Sequence, residues 1–379
     1  MSAENQQRDE IVIETHGQVG CITLHRPQAL NALSLEMVRS MLAALRAWAR
    51  DDAIRAVLLR GQGRQGPFGV LCAGGDIRFL HRAVLAGDAR AEDFFTEEYT
   101  LDYLIHRYPK PFVAFMDGIV MGGGMGISQG ASLRLVTEGT RMAMPETAIG
   151  LFPDVAGGYF LGRLPGHAGE YLGLTGTTIG AGDAVQLGLA DLAVDSATLP
   201  EIWAELLDWR WSDATEARGM LARRYAPETA RPAAELDPAQ INAFFDAGTV
   251  AELIDRLESA GTPWAGATAA VLRQRSPLML HVTLEQIRRA RGLSLAEALR
   301  LERGLVRRCF SVRPGAQGET IEGIRALAVD KDRAPRWNPA RIEDVRPDEV
   351  ARYFEPPWPA AQHPLRGLEQ EAQALRGSV

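Results

Sequence analysis

Residues 111–130 read PFVAFMDGIVMGGGMGISQG, and the succession of textures in that stretch decides the class of fold. Phe112–Met116 is a short apolar run with the look of a buried strand. Gly122, Gly123 and Gly124 follow, and a helix is expected after them. Three consecutive glycines cost conformational entropy that a structural turn rarely needs. Exposed N–H groups at a helix start stabilise a developing negative charge, so a functional reading stands slightly ahead of a structural one. The spacing is not GxGxxG, so this is no dinucleotide fingerprint.

Upstream, residues 11–15 and 19–25 read as two strands around a turn at Gly17. The period then changes: Val38, Met41, Leu42, Leu45 and Trp48 recur at helical spacing, with Ser34 as N-cap. A further strand is expected at 55–60. Downstream of residue 196 strand-like runs fade and Ala, Leu, Glu and Arg dominate. Residues 293–301 are a strong helix former with Ser294 as cap. Residues 226–240, rich in Pro and Ala, suit a linker. The expected division is a mixed α/β core over 1–195 carrying the active site. A mostly helical region over 196–379 then packs on or covers it.

The chain has 379 residues, 46% hydrophobic and 23% charged, which is ordinary globular composition. A net charge of −7 argues against a broad electrostatic grip on nucleic acid. No apolar run approaches the roughly 20 residues needed to span a bilayer. Residues 1–10 show neither a hydrophobic signal core nor an Arg-rich transit pattern. Cys21, Cys72 and Cys309 lie far apart, without a CxxC pair. A reducing, cytoplasmic location is the expectation. Lys110 and Lys331 are the only lysines, no GKS or GKT occurs, and neither HExxH nor a histidine cluster suggests a metal.

Two more stretches bear on chemistry. In Leu71–Ile77 (LCAGGDI) the glycines permit close backbone approach, although, taken alone, the stretch is better explained as a tight strand-to-helix turn with Asp76 in the first helical turn. In Pro145–Asp154 (PETAIGLFPD), Pro145 suits a first helical position and Glu146 the first turn, while Asp154 suits an N-cap. Both carboxylates nevertheless sit among Met, Ile, Leu and Phe, surroundings that make general acid/base groups. Gly126-Ile127-Ser128-Gln129-Gly130 fits the GxSxG nucleophile elbow. That motif needs a strand running directly into its first glycine, and here Gly122–Gly124 intervene.

In this order the three stretches resemble the crotonase superfamily of acyl-CoA enzymes. His25–Leu33 (HRPQALNAL) is similar to that family's first strand and turn. The closer likeness is to its 3-hydroxyisobutyryl-CoA hydrolase branch. It rests on Met144–Phe160 (MPETAIGLFPDVAGGYF), the CAGGDIR loop, Glu97-Glu98-Tyr99 ahead of Lys110-Pro111, Ser276-Pro277, and the runs 295–305 and 322–332. The resemblance implies a spiral of ββα units with helices added at the C-terminus. It implies backbone oxyanion donors at Gly75 and Gly123 and catalytic carboxylates at Glu146 and Asp154. Glu98 matches a substrate-contacting position, although a solvated helix charge explains it equally.

The implied activity is hydrolysis of 3-hydroxyisobutyryl-CoA, or a close short 3-hydroxyacyl-CoA, in valine breakdown. Coenzyme A enters as part of the substrate, and no metal or redox cofactor is needed. An enoyl-CoA isomerase or hydratase is the rival reading, and a silent acyl-CoA-binding protein the third. Many superfamily members are trimers, so a homo-oligomer is one expectation; a C-terminal half covering that interface is the other. Hydratases carry a second glutamate two positions past the last glycine of GGG, where this chain has Gly126. An isomerase needs only the Glu146-type carboxylate. Thr320-Ile321 replaces the family's Asp-Phe and leaves the local lid shape open. Gly66–Val70 (GPFGV) is unusual and bears on acyl-chain fit.

Overall fold

A computed structural model describes residues 10–226 and 232–376. The N-terminal reading and part of the 226–240 linker therefore fall outside the described residues. The four expected strands form within a residue of their expected ends: β1 (Ile11–His16), β2 (Val19–Leu24), β3 (Ala56–Gly61) and β4 (Phe112–Met116). Four shorter ones, β5 (Ile119–Met121), β6 (Leu133–Val136), β7 (Arg141–Ala143) and β8 (Leu192–Ala193), span too few residues to show a period.

Six strands make one sheet in the order β1-β2-β3-β4-β6-β8, antiparallel only between β1 and β2. β5 and β7 form a separate parallel pair. The large sheet is covered on both faces, as parallel sheets are, so its strands alternate between two apolar layers. Val57, Leu59, Phe112 and Ala114 face one layer, and Leu58, Val113 and Phe115 face the other.

The first layer is built on α1 (Leu35–Arg50), α2 (Ile77–Ala86), α3 (Arg90–His106) and α4 (Gly123–Gln129), followed by α5 (Gly157–Leu161), α6 (Ala168–Thr175) and α7 (Ala181–Gln186). In α1 the expected stripe Val38, Met41, Leu42, Leu45 and Trp48 is buried, and Ser34 accepts the Met37 N–H as N-cap. The second layer is α8 (Leu199–Leu207) and α9 (Ala214–Tyr225), whose Ile202, Trp203, Leu206 and Leu221 cover the opposite sheet face. Then come α10 (Pro238–Phe245), α11 (Val250–Ser259), α12 (Pro263–Gln274), α13 (Pro277–Ala290), α14 (Leu295–Ser311) and α15 (Glu319–Ile324). α14 begins at the expected cap, a Ser294/Glu297 capping box, but runs ten residues past the expected end at Leu301. One hydrophobic cluster runs from Ile22 to Leu375, so the change of texture near residue 196 is no break in the core.

The unusual Gly66–Val70 segment turns away from the first layer. Phe68 packs on Phe115 and Trp203, at 5.5 and 6.1 Å between ring centres, in the second layer. Its expected bearing on acyl-chain fit has no contact behind it. Thr320 donates to the Gly150 carbonyl at 2.7 Å, which seats α15 on the turn after Glu146.

Candidate active site

The three glycine stretches converge on one cavity of about 570 Å³. The bridge Cys72–Val120 draws Leu71–Ile77 against the strand before Gly122–Gly124, and the bridge Leu33–Gly75 ties it to the segment before α1. Gly74, Gly75, Gly122, Gly123, Glu146 and Asp154 all line the cavity, and Glu98 of α3 joins them.

Gly75 and Gly123 have the requirements of an oxyanion hole. The Gly123 N–H opens α4, where helix geometry leaves it unpaired. The Gly75 N–H falls between two bridge bonds, Leu33 N to Gly74 O and Asp76 N to Leu33 O. Neither donates to a protein acceptor among the described residues. The glycine run is explained by close approach: a Cβ at Gly123 would stand 2.6 Å from Glu98 Oε1, and one at Gly122 2.8 Å from Glu146 Oε1. Gly122 also holds a φ of +49°.

The local capping explanations give way in the folded site. Asp76 is the N-cap of α2 itself, accepting the Phe79 N–H, rather than a first-turn residue. Pro145 precedes a four-residue 3-10 turn, Glu146–Ile149, too short to make dipole stabilisation the purpose of Glu146. Asp154 caps nothing with its side chain, since α5 starts after Ala156; its Oδ2 accepts the Tyr99 hydroxyl at 2.7 Å. Glu98 is buried at 2% exposure, so it is no solvated helix charge.

Burial dominates the electrostatics. It pushes Glu98 well above the usual carboxylate range, helped by the negative charges of Asp102, Asp154 and Glu146. Burial and then Asp154 do the same to Glu146. Asp154 is raised only to about 6, because the Tyr99 hydrogen bond opposes its burial. Asp154 is therefore the more acidic member of the pair, and burial favours the protonated form of Glu146. Pairs of carboxyls whose environments drive them apart mark acid/base assignments.

Sequence reasoning missed Asp102 and Glu302. Asp102 lies one helical turn beyond Glu98 on α3, fully buried, with neither oxygen hydrogen-bonded to protein. The Glu98/Asp102 spacing was the available signal. Glu302 sits 148 residues beyond Asp154 in sequence and nothing local marks it. Ser128 is settled by its geometry: fully buried inside α4, it donates to the Gly124 carbonyl at 2.6 Å. A hydroxyl spent on its own helix is no nucleophile. Among the described residues no group of three or more His, Cys, Asp and Glu is placed to hold a metal, and no helix is long and apolar enough to cross a membrane.

The model of the enoyl-CoA hydratase/isomerase family matches residues 19–354. The chain belongs to that family. It is 38% identical over 352 residues to a chicken (Gallus gallus) protein named 3-hydroxyisobutyryl-CoA hydrolase, mitochondrial, covering 92% of this chain and 89% of that one. An Arabidopsis thaliana protein named 3-hydroxyisobutyryl-CoA hydrolase 1 is 37% identical, over 94% of both chains. Among solved structures, one titled a carnitinyl-CoA dehydratase, from Mycobacterium thermoresistibile, superposes with a TM-score of 0.83 at 38% identity. It covers 93% of this chain and 98% of that one. Another, titled an enoyl-CoA hydratase from Rhodobacter sphaeroides, gives 0.79 at 39%, over 92% and 98%. The fold is the crotonase fold expected from the motifs. The cytoplasmic expectation is corrected by these names, since the chicken protein and its rat counterpart are named mitochondrial. A compartment address is a signal read by receptors and carried by a targeting segment, so the composition and packing of the folded core do not reveal it.

Proposed function

We propose that this chain hydrolyses 3-hydroxyisobutyryl-CoA to 3-hydroxyisobutyrate and free CoA, a step of valine breakdown, without a metal or redox cofactor. The relatives named for that reaction span nearly the whole chain on both sides of the comparison. The thioester oxygen lies between the N–H groups of Gly75 and Gly123, which take up the charge that develops on it. Glu98 contacts the acyl hydroxyl. Asp154 accepts the proton of Glu146, and ionised Glu146 then attacks the carbonyl or draws a proton from water. Water supplies the oxygen of the product acid; by direct attack its remaining proton leaves with the CoA sulfur, and by the anhydride route Asp154 gives its proton to the departing sulfur before water opens the anhydride. Every residue named comes from one chain, so the reading requires no second copy.

The observation that carries this reading is Gly126. A Cβ there would stand 2.7 Å from the Val155 Cβ and 2.8 Å from Asp102 Oδ1. The second glutamate of hydratases has no room, and the carboxyls at the cavity are Glu98, Glu146, Asp154 and Asp76, the last spent on capping α2 and on Arg26. Hydration of an enoyl-CoA is the second reading, favoured by the titles of the two solved structures. Free-thiol release from saturated 3-hydroxyacyl-CoA, set against loss of the conjugated double bond in an enoyl-CoA, separates the two. Glu146→Gln is expected to lower hydrolysis by about 10²–10⁴-fold with substrate still bound. Retention of full activity would remove Glu146 from the mechanism. Single turnover in ¹⁸O-water divides the routes, since label entering Glu146 means an acyl-enzyme anhydride.

A further inference from the structure

Val155 and Ala156, directly after Asp154, both hold left-handed backbone, with φ of 53° and 68°. For a β-branched residue this is a true outlier, which persists only where the surroundings over-determine it. Here the surroundings come from 146 residues further along the chain. Glu302 of α14, 1% exposed, accepts the Ala156 N–H at Oε2 (2.8 Å) and the Gly158 N–H at Oε1 (2.9 Å). Gln286 of α13 donates to Glu302 Oε1 at 3.1 Å and to the Pro153 carbonyl at 2.7 Å. The backbone is thus held on both sides of Asp154.

The next residue ties the same helix to the other support of Asp154. Arg303 donates from Nε to Thr96 Oγ1 at 3.0 Å and pairs with Glu92, both on α3. α3 carries Tyr99, whose hydroxyl holds Asp154 Oδ2. Both contacts that aim the Asp154 carboxylate are therefore referenced to α14. Glu302 itself does not reach the cavity wall.

The geometry points to Glu302 as a positioning residue: by clamping the amides of Ala156 and Gly158 it holds the strained turn that aims Asp154, and it acts on hydrolysis only through Asp154. This rests on the proposed role of Asp154. Glu302→Gln keeps one acceptor oxygen and turns an N–H donor toward a backbone N–H, so the turn relaxes. A misplacement of about 1 Å costs on the order of 10²-fold, expected here in kcat with KM nearly unchanged.

The test measures kcat and KM on 3-hydroxyisobutyryl-CoA for Glu302→Gln, Asp154→Asn and the double variant, with folding followed by thermal melting. Glu302→Gln is expected to add little to the loss already present in Asp154→Asn. Adding Ala156→Gly to Glu302→Gln should restore roughly ten-fold or more of kcat, because glycine adopts the left-handed turn unaided. Where Glu302→Gln alone fails to fold, the same glycine should restore folding. Unchanged kcat in Glu302→Gln, an equal loss in both backgrounds, or no recovery with Ala156→Gly would overturn the positioning role. Full activity of Asp154→Asn is a separate outcome: it would overturn the reading of Asp154 itself, and this inference with it.

Discussion

Tyr99 is where the site's proton balance is adjusted. Its hydroxyl donates to Asp154 Oδ2 and holds that carboxyl near 6 against the upward push of burial. Tyr99→Phe removes the donor, so the acid limb of kcat/KM is expected to move to higher pH, because the base must be ionised to act. A pH–rate profile checks it; an unmoved limb would place the essential ionisation elsewhere. Stability carries the opposite lesson at Asp154. Its folded value, about 6, lies above its ordinary 3.8. The folded state therefore keeps a proton the unfolded state loses, and that contribution fades as pH rises through about 6. Asp154→Asn, free of a buried charge, should thus gain stability over the wild type at about pH 7 and not at about pH 3. The gain is bounded at about 3 kcal/mol, readable in urea melts at the two pH values. Residue types alone made Glu146 and Asp154 candidates. That local capping accounts for neither depended on where Tyr99 and the cavity fall.

Among elements, α14 carries more of the site than its distance in sequence suggests. It presents Glu302 to the turn after Asp154 and Arg303 to α3. Its start is a complete capping box, legible from Ser294 and Glu297. Ser294→Ala is expected to cost about 1 kcal/mol in chemical denaturation. Turnover of the folded fraction should stay unchanged, since the cap lies two turns before Glu302. A large kcat loss without destabilisation would contradict that separation. α3 shows the reverse case. Its Glu98, Tyr99 and Asp102 are polar types that read equally as a solvated face. They are buried because α1 and α14 pack beside α3, which no window along α3 reveals.

On the scale of the whole molecule, net charge and local field differ. The chain is acidic overall, yet Arg26, Arg64 and Arg78 lie along the cavity. Arg26 is spent on Glu10 and Asp76. Arg64 and Arg78 are exposed and make no ion pair among the described residues, so they are free to meet the phosphates of a CoA substrate. Replacing either by Ala is expected to raise KM on the order of ten-fold, a hydrogen bond to a charged group being worth about 1.5 kcal/mol or more. The effect should shrink with added salt while kcat holds. A salt-independent KM in the wild type would show that these arginines do not meet the phosphates.

The sequence by itself determined the α/β class, the four longer strands, α1 with its cap, and the family, through glycine runs and carboxylates whose spacing is local. It also named the cavity residues Gly75, Gly123, Glu98, Glu146 and Asp154. Only the tertiary structure decided which carboxyl of the pair is the more acidic, that Ser128 is inert, and that Asp102 and Glu302 belong to the same buried group. The physical reason is range. Periodicity and turn chemistry act over a few residues and can be read in a window. A carboxyl's proton affinity is set by burial and by charges that α3, α14 and the turns after β7 bring together from some two hundred residues apart.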